Sequence, residues 1–354
     1  MQQLPDRKRE CEFDVMRTFA MFAVIVTHTC GVVIHDLSVN SLEFIVMNVL
    51  RGALTWDVPL FVMISGRFFL DPEKNISISK IFRKYISHIV IAFCIWSAIY
   101  TAFYIWRAWD SGENIFAMWK QFFFQFLTGP YHMWYVFMII GLYMATPILR
   151  KITQDKKLME YFIVLFIVSQ VVVQYGTNIP VIENTLTVII SKTDFHIALG
   201  YCGYYILGYY LYKYGIPAKF EKPMYILTVL LILFACVGKT VHSIYDGEEN
   251  DLLSKYLMPN VIVESCGVYL FFLKAFGKLK LKTSTEKIFI KIGKWGFGVY
   301  LSHAIVIEFL DLLGMSPMFA FPLGILIMSV CTFAGSLLLV FIIDKIPVLN
   351  KYLM

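Results

Sequence analysis

The stretch FPLGILIMSVCTFAGSLLLVFII, residues 321–343, carries no charged side chain from end to end. An α-helix of about 20 such residues crosses the hydrocarbon core of a bilayer, which is roughly 30 Å thick. Strands of a membrane barrel are shorter and alternate polar with apolar residues. The stretch therefore predicts a transmembrane helix, and similar apolar runs recur along the whole chain.

The composition agrees with a protein that is mostly buried in lipid. Of the 354 residues, 58% are hydrophobic and only 16% are charged, whereas soluble domains are about a quarter charged. We predict an all-α integral membrane protein, a bundle of about ten transmembrane helices in contact with membrane lipids. The predicted spans are residues 13–34, 43–69, 82–105, 132–149, 159–176, 195–212, 223–239, 256–274, 293–313 and 321–343.

The basic residues predict the orientation of this bundle. Most of the 31 lysines and arginines fall in the loops on the side of the N-terminus, and loops of this kind stay in the cytosol. We therefore expect cytosolic tails at residues 1–12 and 344–354, and no nucleic-acid partner for the net charge of +6. Basic residues 7–9 precede an apolar run as in a signal peptide, but the ionisable residues inside that run predict a retained first helix.

The seven cysteines form no CxxC pair, and most of them lie inside apolar runs. They predict packing thiols rather than a disulfide or metal framework, and we expect no metal. No internal repeat is visible, although inverted repeats are typical of many transporters.

The first span carries three ionisable residues, Asp14, Arg17 and His28. At about 100° per residue, Arg17 and His28 lie on one helix face, roughly 16 Å apart along the axis, with Asp14 close to the same line. Ionisable residues within a span usually face the interior of a bundle, so this face predicts a polar path. Alternatively, Asp14 and Arg17 form an interfacial pair, with Arg17 snorkelling, and His28 bonds a neighbouring helix.

Other spans contain further polar groups. In the second span, Asp57 precedes Pro59, which would free a backbone carbonyl in mid-helix. Ser65 and Gly66 would permit close helix contact. This segment is either part of a functional site or a packing helix with a proline kink. His303 in the ninth span is either a functional residue or a group that forms a structural hydrogen bond.

Two clusters lie at the ends of spans. Lys80, Arg83 and Lys84 open the third span and would hold phosphates, unless they only set the topology. His132 and Trp134 open the fourth span and fit either an aromatic belt at the membrane surface or a platform for a sugar.

Several of these strings, in order along nearly the whole chain, resemble the membrane-bound acyltransferase family 3. The chain is similar to its stand-alone members, such as the O-acetyltransferase of enterobacterial common antigen. The matching strings are the Arg17–His28 spacing, VPLFVMISG at 58–66, HMWY at 132–135, GYYILGYY at 203–210 and GVYLSH at 298–303.

The resemblance implies an acyltransferase transmembrane domain over residues 13–343, in the inner membrane of a bacterium. It implies transfer of an acyl group, commonly acetyl, from cytosolic acetyl-CoA to a hydroxyl of an extracytoplasmic glycan or lipid-linked sugar. Acyl chain length, acceptor and oligomeric state stay open.

The resemblance also implies roles for the polar residues. His28 would act as general base or as a transient acyl carrier. Arg17 would be catalytic and, with Lys80, Arg83 and Lys84, would hold CoA, although many relatives have an arginine at the position of Lys80. His132 and Trp134 would bind the acceptor substrate. Supporting roles fall to Asp14, which would orient Arg17, and to Asp57, Ser65 and His303.

Two other functions fit the same residues. A transporter or flippase for a sugar or lipid intermediate would use Asp57 or Glu264 as a proton-linked acid. A non-catalytic partner in an envelope assembly machine would need neither acid.

Overall fold

The computed structural model describes residues 10–74, 76–176, 200–277 and 281–353. These residues form helices and no β-strand, so the predicted all-α membrane fold is confirmed. We number the helices in chain order as α1 Cys11–Gly31, α2 Leu42–Ala53, α3 Asp57–Phe69, α4 Ile78–Asp110, α5 Trp119–Thr128, α6 Trp134–Ile152, α7 Lys156–Gly176, α8 Cys202–Tyr214, α9 Glu221–Asp246, α10 Pro259–Gly277, α11 Thr283–Leu312, α12 Leu323–Lys345 and α13 Pro347–Leu353.

Nine helical segments within the described residues are long and apolar enough to cross a membrane. They coincide with nine of the predicted spans. The other predicted span, residues 195–212, falls partly outside the described residues, and its described part lies in α8. We call the side at which α1 begins the basic side, and the opposite side, where the loop 247–251 lies, the acidic side.

The predicted second span is not a single helix. α2 ends at Ala53 and α3 begins at Asp57, and the turn between them is held by the Trp56 indole, which donates to the Ala53 carbonyl at 2.9 Å. The expectation of a mid-helix proline is therefore wrong. Pro59 lies in the first turn of α3, where a missing N–H removes no helical hydrogen bond. The break also places the Asp57 carboxylate at a helix start, where it accepts from the Val58 amide at 2.5 Å.

A close helix contact joins α3 to α8. A methyl group at Gly66 would collide with the backbone carbonyl of Tyr205, and one at Gly208 would collide with that of Met63. The two backbones therefore approach each other as small residues allow in membrane bundles. The predicted close contact at Ser65 and Gly66 is confirmed.

α1 lies at the centre of the bundle, packed against α2, α3, α10, α11 and α12. Its side chains therefore meet protein on several sides rather than lipid alone. This position makes its polar residues interior groups, as expected for ionisable residues that a membrane protein retains.

Candidate active site

A cavity of about 870 Å³ opens inside the bundle. We call it the large cavity. α1 contributes both Arg17 and His28 to its wall, so the predicted shared face is confirmed. α3 contributes Ser65, and α4, α6 and α11 supply most of the remaining wall. The cavity runs from the start of α4, near the basic side, to the end of α1, near the acidic side.

Basic side chains line the end of the large cavity near the basic side. Arg83 and Lys84 lie in a π-helical turn of α4, residues Ile81–Ile86, and π turns often mark functional sites. Lys294 of α11 joins them. In the described part of the chain, none of these three side chains forms an ion pair, which leaves their charges available to an anionic ligand.

Lys294 is not among the residues that the sequence predicts for the site, because it stands at the very start of the predicted ninth span. The ninth span was predicted to begin at residue 293, but α11 begins at Thr283 and continues through that point. The longer helix carries Lys294 on a wall of the cavity. The surrounding KIGKWGFG string, at residues 291–298, has a glycine beside the lysine, but no signal in it separates a cavity lysine from a topological one.

Lys80, which was predicted to act with Arg83 and Lys84, lies apart from them. It lines a neighbouring recess together with Phe68 and Lys74, and among the described residues Tyr85 alone lines both this recess and the large cavity. The structure therefore brings Arg83 and Lys84 to Arg17 and His28, but it does not bring Lys80 there.

Arg17 is held by Asp14, as predicted. Arg17 Nη1 lies 3.0 Å from Asp14 Oδ1, and the guanidinium also lies over the Phe68 ring at 4.9 Å. Asp14 is 1% exposed and fits against Gly293 of α11, where a methyl group would collide with its carboxylate. The pair therefore lies inside the bundle, and Arg17 does not snorkel to the membrane surface.

Three histidines meet at the other end of the large cavity. The ring centroid of His303 lies 5.2 Å from that of His28 and 4.9 Å from that of His132, and His28 and His132 are 6.5 Å apart. His132 and His303 are buried, and His28 is partly exposed to the cavity. The sequence predicts each of the three as a separate site residue, but no pattern in it indicates that the first, fourth and ninth spans converge here.

Backbone groups fix the surroundings of this histidine cluster. His303 Nδ1 lies 2.5 Å from the Tyr300 carbonyl, and the Tyr300 hydroxyl donates to the His132 carbonyl. Because a carbonyl only accepts, His303 Nδ1 must carry the proton, and Nε2 of the neutral ring is then an acceptor. Within the described residues, His303 Nε2 makes no hydrogen bond of ordinary geometry.

The remaining predicted residues lie around the cluster. Trp134 lines the large cavity and stacks on Tyr256 with ring centroids 5.7 Å apart. His132 lines the same cavity, so both residues predicted to bind the acceptor face this space. Asp57 does not. It is 1% exposed and lines a second, smaller cavity.

The histidine cluster is not a metal site of ordinary form. Across residues 10–74, 76–176, 200–277 and 281–353, no group of three or more histidine, cysteine or acidic side chains is arranged to hold a metal ion. The histidine cluster can transfer protons through its imidazole rings. The large cavity in which it lies extends to the basic side chains near one side of the membrane.

Comparison with known proteins gives one match. The model of acyltransferase family 3, described as an acyltransferase domain, matches residues 12–341. No curated protein and no solved structure matches the chain.

Proposed function

This chain belongs to acyltransferase family 3 and is a multi-pass membrane acyltransferase, and from that premise we propose that it is an O-acetyltransferase of surface glycans. The donor would be acetyl-CoA in the cytosol. The acceptor would be a hydroxyl of a glycan or lipid-linked sugar on the far side of a bacterial inner membrane. One observation carries the proposal: a single cavity joins a basic cluster to the imidazole of His28.

The basic side of the bundle is the proposed cytosolic side, because lysine and arginine collect in cytosolic loops. Acetyl-CoA would then enter at Arg83, Lys84 and Lys294. Guanidinium and ammonium groups without ion pairs bind phosphates by charge-assisted hydrogen bonds. Arg17, deeper in the cavity, would hold the pantetheine arm or the thioester end.

His28 would carry out the proton transfer. It accepts the proton of the acceptor hydroxyl while that oxygen attacks the carbonyl carbon of the thioester. As the C–O ester bond forms, the C–S bond breaks, and the imidazolium returns its proton to the departing thiolate. The products are an O-acetyl ester and the free thiol of CoA. The alternative, a transient acetyl group on His28, would divide the same reaction into two steps.

A His28→Ala variant tests this proposal. Wild type and variant are purified in lipid nanodiscs and supplied with [14C]acetyl-CoA and membrane glycolipids from a strain that lacks the gene. We expect the variant to lose at least 99% of acetyl transfer, since general base catalysis contributes about 10²- to 10⁴-fold. Acetyl-CoA binding by calorimetry should persist, because the basic cluster is intact.

Two controls make the result decisive. Wild type quenched in the steady state shows whether label is bound to the protein, which separates a transient acetyl group on His28 from a general base. A His242→Asn variant changes an exposed histidine outside the large cavity and should transfer at the wild-type rate. Transfer by His28→Ala at more than a tenth of the wild-type rate would remove His28 from its proposed role.

A further inference from the structure

A second cavity, of about 460 Å³, lies beside the large one toward the acidic side. We call it the small cavity. Thr27 lines it, whereas the next residue of α1, His28, lines the large cavity. Tyr256 lines both cavities. Because consecutive Cα atoms are 3.8 Å apart, the two cavities adjoin neighbouring positions of α1, with Tyr256 between them.

The lining of the small cavity combines hydrogen-bond donors with acceptors. Hydroxyls of Thr27 and Ser254, the amide of Gln174 and the carboxylate of Asp57 all take part. The Thr27 hydroxyl is buried and makes no hydrogen bond to the residues that the structure describes. A mixture of this kind suits a ligand that carries several hydroxyl groups, each of which both donates and accepts.

The charges around the small cavity balance. Lys239 Nζ lies 2.5 Å from Asp251 and 3.2 Å from Glu249, and Arg51 also pairs with Glu249. Lys239 is almost fully buried, so these carboxylates neutralise its charge within the protein. The other two charged groups of the lining, Lys255 and Asp57, are of opposite sign. Counted together with Glu249, the formal charges around the cavity therefore sum to zero, which favours an uncharged ligand over an anionic one.

Aromatic rings complete the wall between the two cavities. Tyr256 stacks on Trp134 at an interplanar angle of 26°. The ring centroid of Tyr201, which also lines the small cavity, lies 5.8 Å from that of Trp134. The electron-rich face of such a ring attracts the C–H groups on one face of a sugar. The small cavity thus offers both hydrogen bonds to the hydroxyls of a pyranose ring and aromatic contacts to its C–H groups.

We propose that the small cavity is the acceptor site and that it binds an uncharged sugar ring, whose hydroxyl reaches His28 past Tyr256. The inference rests on the proposed acyl transfer and names the acceptor class for it. It also moves acceptor recognition away from His132, which lines the large cavity, to Thr27, Asp57 and Ser254.

The test uses Thr27→Val, which removes the hydroxyl at constant size, and Ser254→Phe, which fills the small cavity. Thr101→Val is the matched control, since Thr101 also has a buried hydroxyl without a partner among the described residues but lines neither cavity. Each protein, in nanodiscs, receives acetyl-CoA and a panel of probes. The probes are octyl glycosides of glucose, galactose, mannose, rhamnose and N-acetylglucosamine, with octyl glucuronide as the anionic member.

We expect wild type to acetylate at least one uncharged glycoside and to discriminate against the glucuronide. Thr27→Val should raise KM for that glycoside about five- to tenfold, and Ser254→Phe should abolish its acetylation. KM for acetyl-CoA should not change in Thr27→Val, and Thr101→Val should match wild type in both constants.

Three results would overturn the inference: preference for the glucuronide, an unchanged glycoside KM in Thr27→Val, or a parallel rise in KM for acetyl-CoA. A wild type that hydrolyses acetyl-CoA but acetylates no glycoside would also overturn the assignment of an uncharged sugar. A wild type that neither binds nor cleaves acetyl-CoA would instead contradict the proposed acyl transfer, so the two failures are distinct.

Discussion

The imidazole rings of His28 and His303 lie 5.2 Å apart, centroid to centroid, at an interplanar angle of 31°. His303 is itself held by the Tyr300 carbonyl through Nδ1. A histidine whose tautomer is fixed by the backbone is a suitable neighbour for a general base, because it limits the orientations that the second ring can adopt. From this relationship we propose that His303 supports His28 by positioning its ring.

We predict that His303→Asn lowers kcat about 10- to 100-fold and leaves KM for acetyl-CoA within twofold of wild type. The basic cluster at the opposite end of the large cavity is untouched by this change, so donor binding should persist. Steady-state kinetics with varied acetyl-CoA gives both constants, and thermal unfolding in nanodiscs checks the fold. A rise in KM with an unchanged kcat would show that His303 does not position His28.

The helical architecture could be predicted because each span is a local property of the sequence. In lipid, the backbone N–H and C=O groups of a run such as residues 321–343 have to form hydrogen bonds with each other, whatever the neighbouring segments are. The break between Ala53 and Asp57 could not be predicted in this way. Its turn depends on a local bond from the Trp56 indole, and the mean hydropathy of the whole segment Leu42–Phe69, which is high enough for a membrane span, conceals it.

A second prediction separates Lys80 from the cations of the large cavity. Arg83→Ala, Lys84→Ala and Lys294→Ala should each raise KM for acetyl-CoA about 10- to 100-fold, as expected for a lost charge-assisted contact of about 1.5–3 kcal/mol. Lys80→Ala serves as the matched control and should raise it less than threefold, because its recess lies beside the cavity. Isothermal titration with acetyl-CoA measures the affinities directly.

Salt dependence provides the second readout for the same variants. If the three cations bind phosphates, the affinity of wild type for acetyl-CoA should fall between 50 and 500 mM salt, roughly as screening predicts. The fall should be smaller in each cavity variant. If Lys80→Ala lost as much affinity for acetyl-CoA as the cavity variants, Lys80 would belong to the donor site, as the sequence predicts.

The site could be predicted in part. Spacing along one helix placed Arg17 and His28 on a common face, because helical geometry fixes that relationship without any tertiary information. The convergence of His28, His132 and His303 depends on how three distant helices pack, which no spacing encodes. Lys80 precedes the π turn that carries Arg83 and Lys84 and lines a different recess, and Lys294 lies within the longer α11, so residue spacing encodes neither placement.

A third prediction concerns the contact between Gly293 and Asp14. Gly293→Ala would drive a methyl group into the Asp14 carboxylate, at a cost of about 1–3 kcal/mol, and would displace Arg17 with it. We expect KM for acetyl-CoA to rise and kcat to fall, each about three- to tenfold. Gly141→Ala on α6, where a methyl group meets open space, is the control. Kinetics of Gly293→Ala that match those of the control would show that the position of Asp14 is not important for Arg17.

The fourth prediction concerns pH and the loop at residues 247–251. Burial alone would raise the pKa of Asp251, but the Lys239 ammonium 2.5 Å away outweighs burial, so the pKa lies below its usual value. A depressed carboxyl pKa contributes stability above the ordinary aspartate pKa of about 3.9. That contribution is lost as the pH falls through the lower pKa of the folded state. The loop should therefore stay attached from pH 7 to pH 5 and detach only below about pH 4.

Hydrogen–deuterium exchange of residues 247–254, corrected for the pH dependence of intrinsic exchange, measures this detachment. Asp251→Asn should reduce protection already at pH 7, because Glu249 is then the one charged partner that Lys239 keeps among the described residues. Glu248→Gln, which changes an exposed carboxylate of the same loop, should retain the wild-type profile. Loss of protection in wild type between pH 6 and pH 5 would contradict the prediction, because the group that titrates there would not be an aspartate with a depressed pKa.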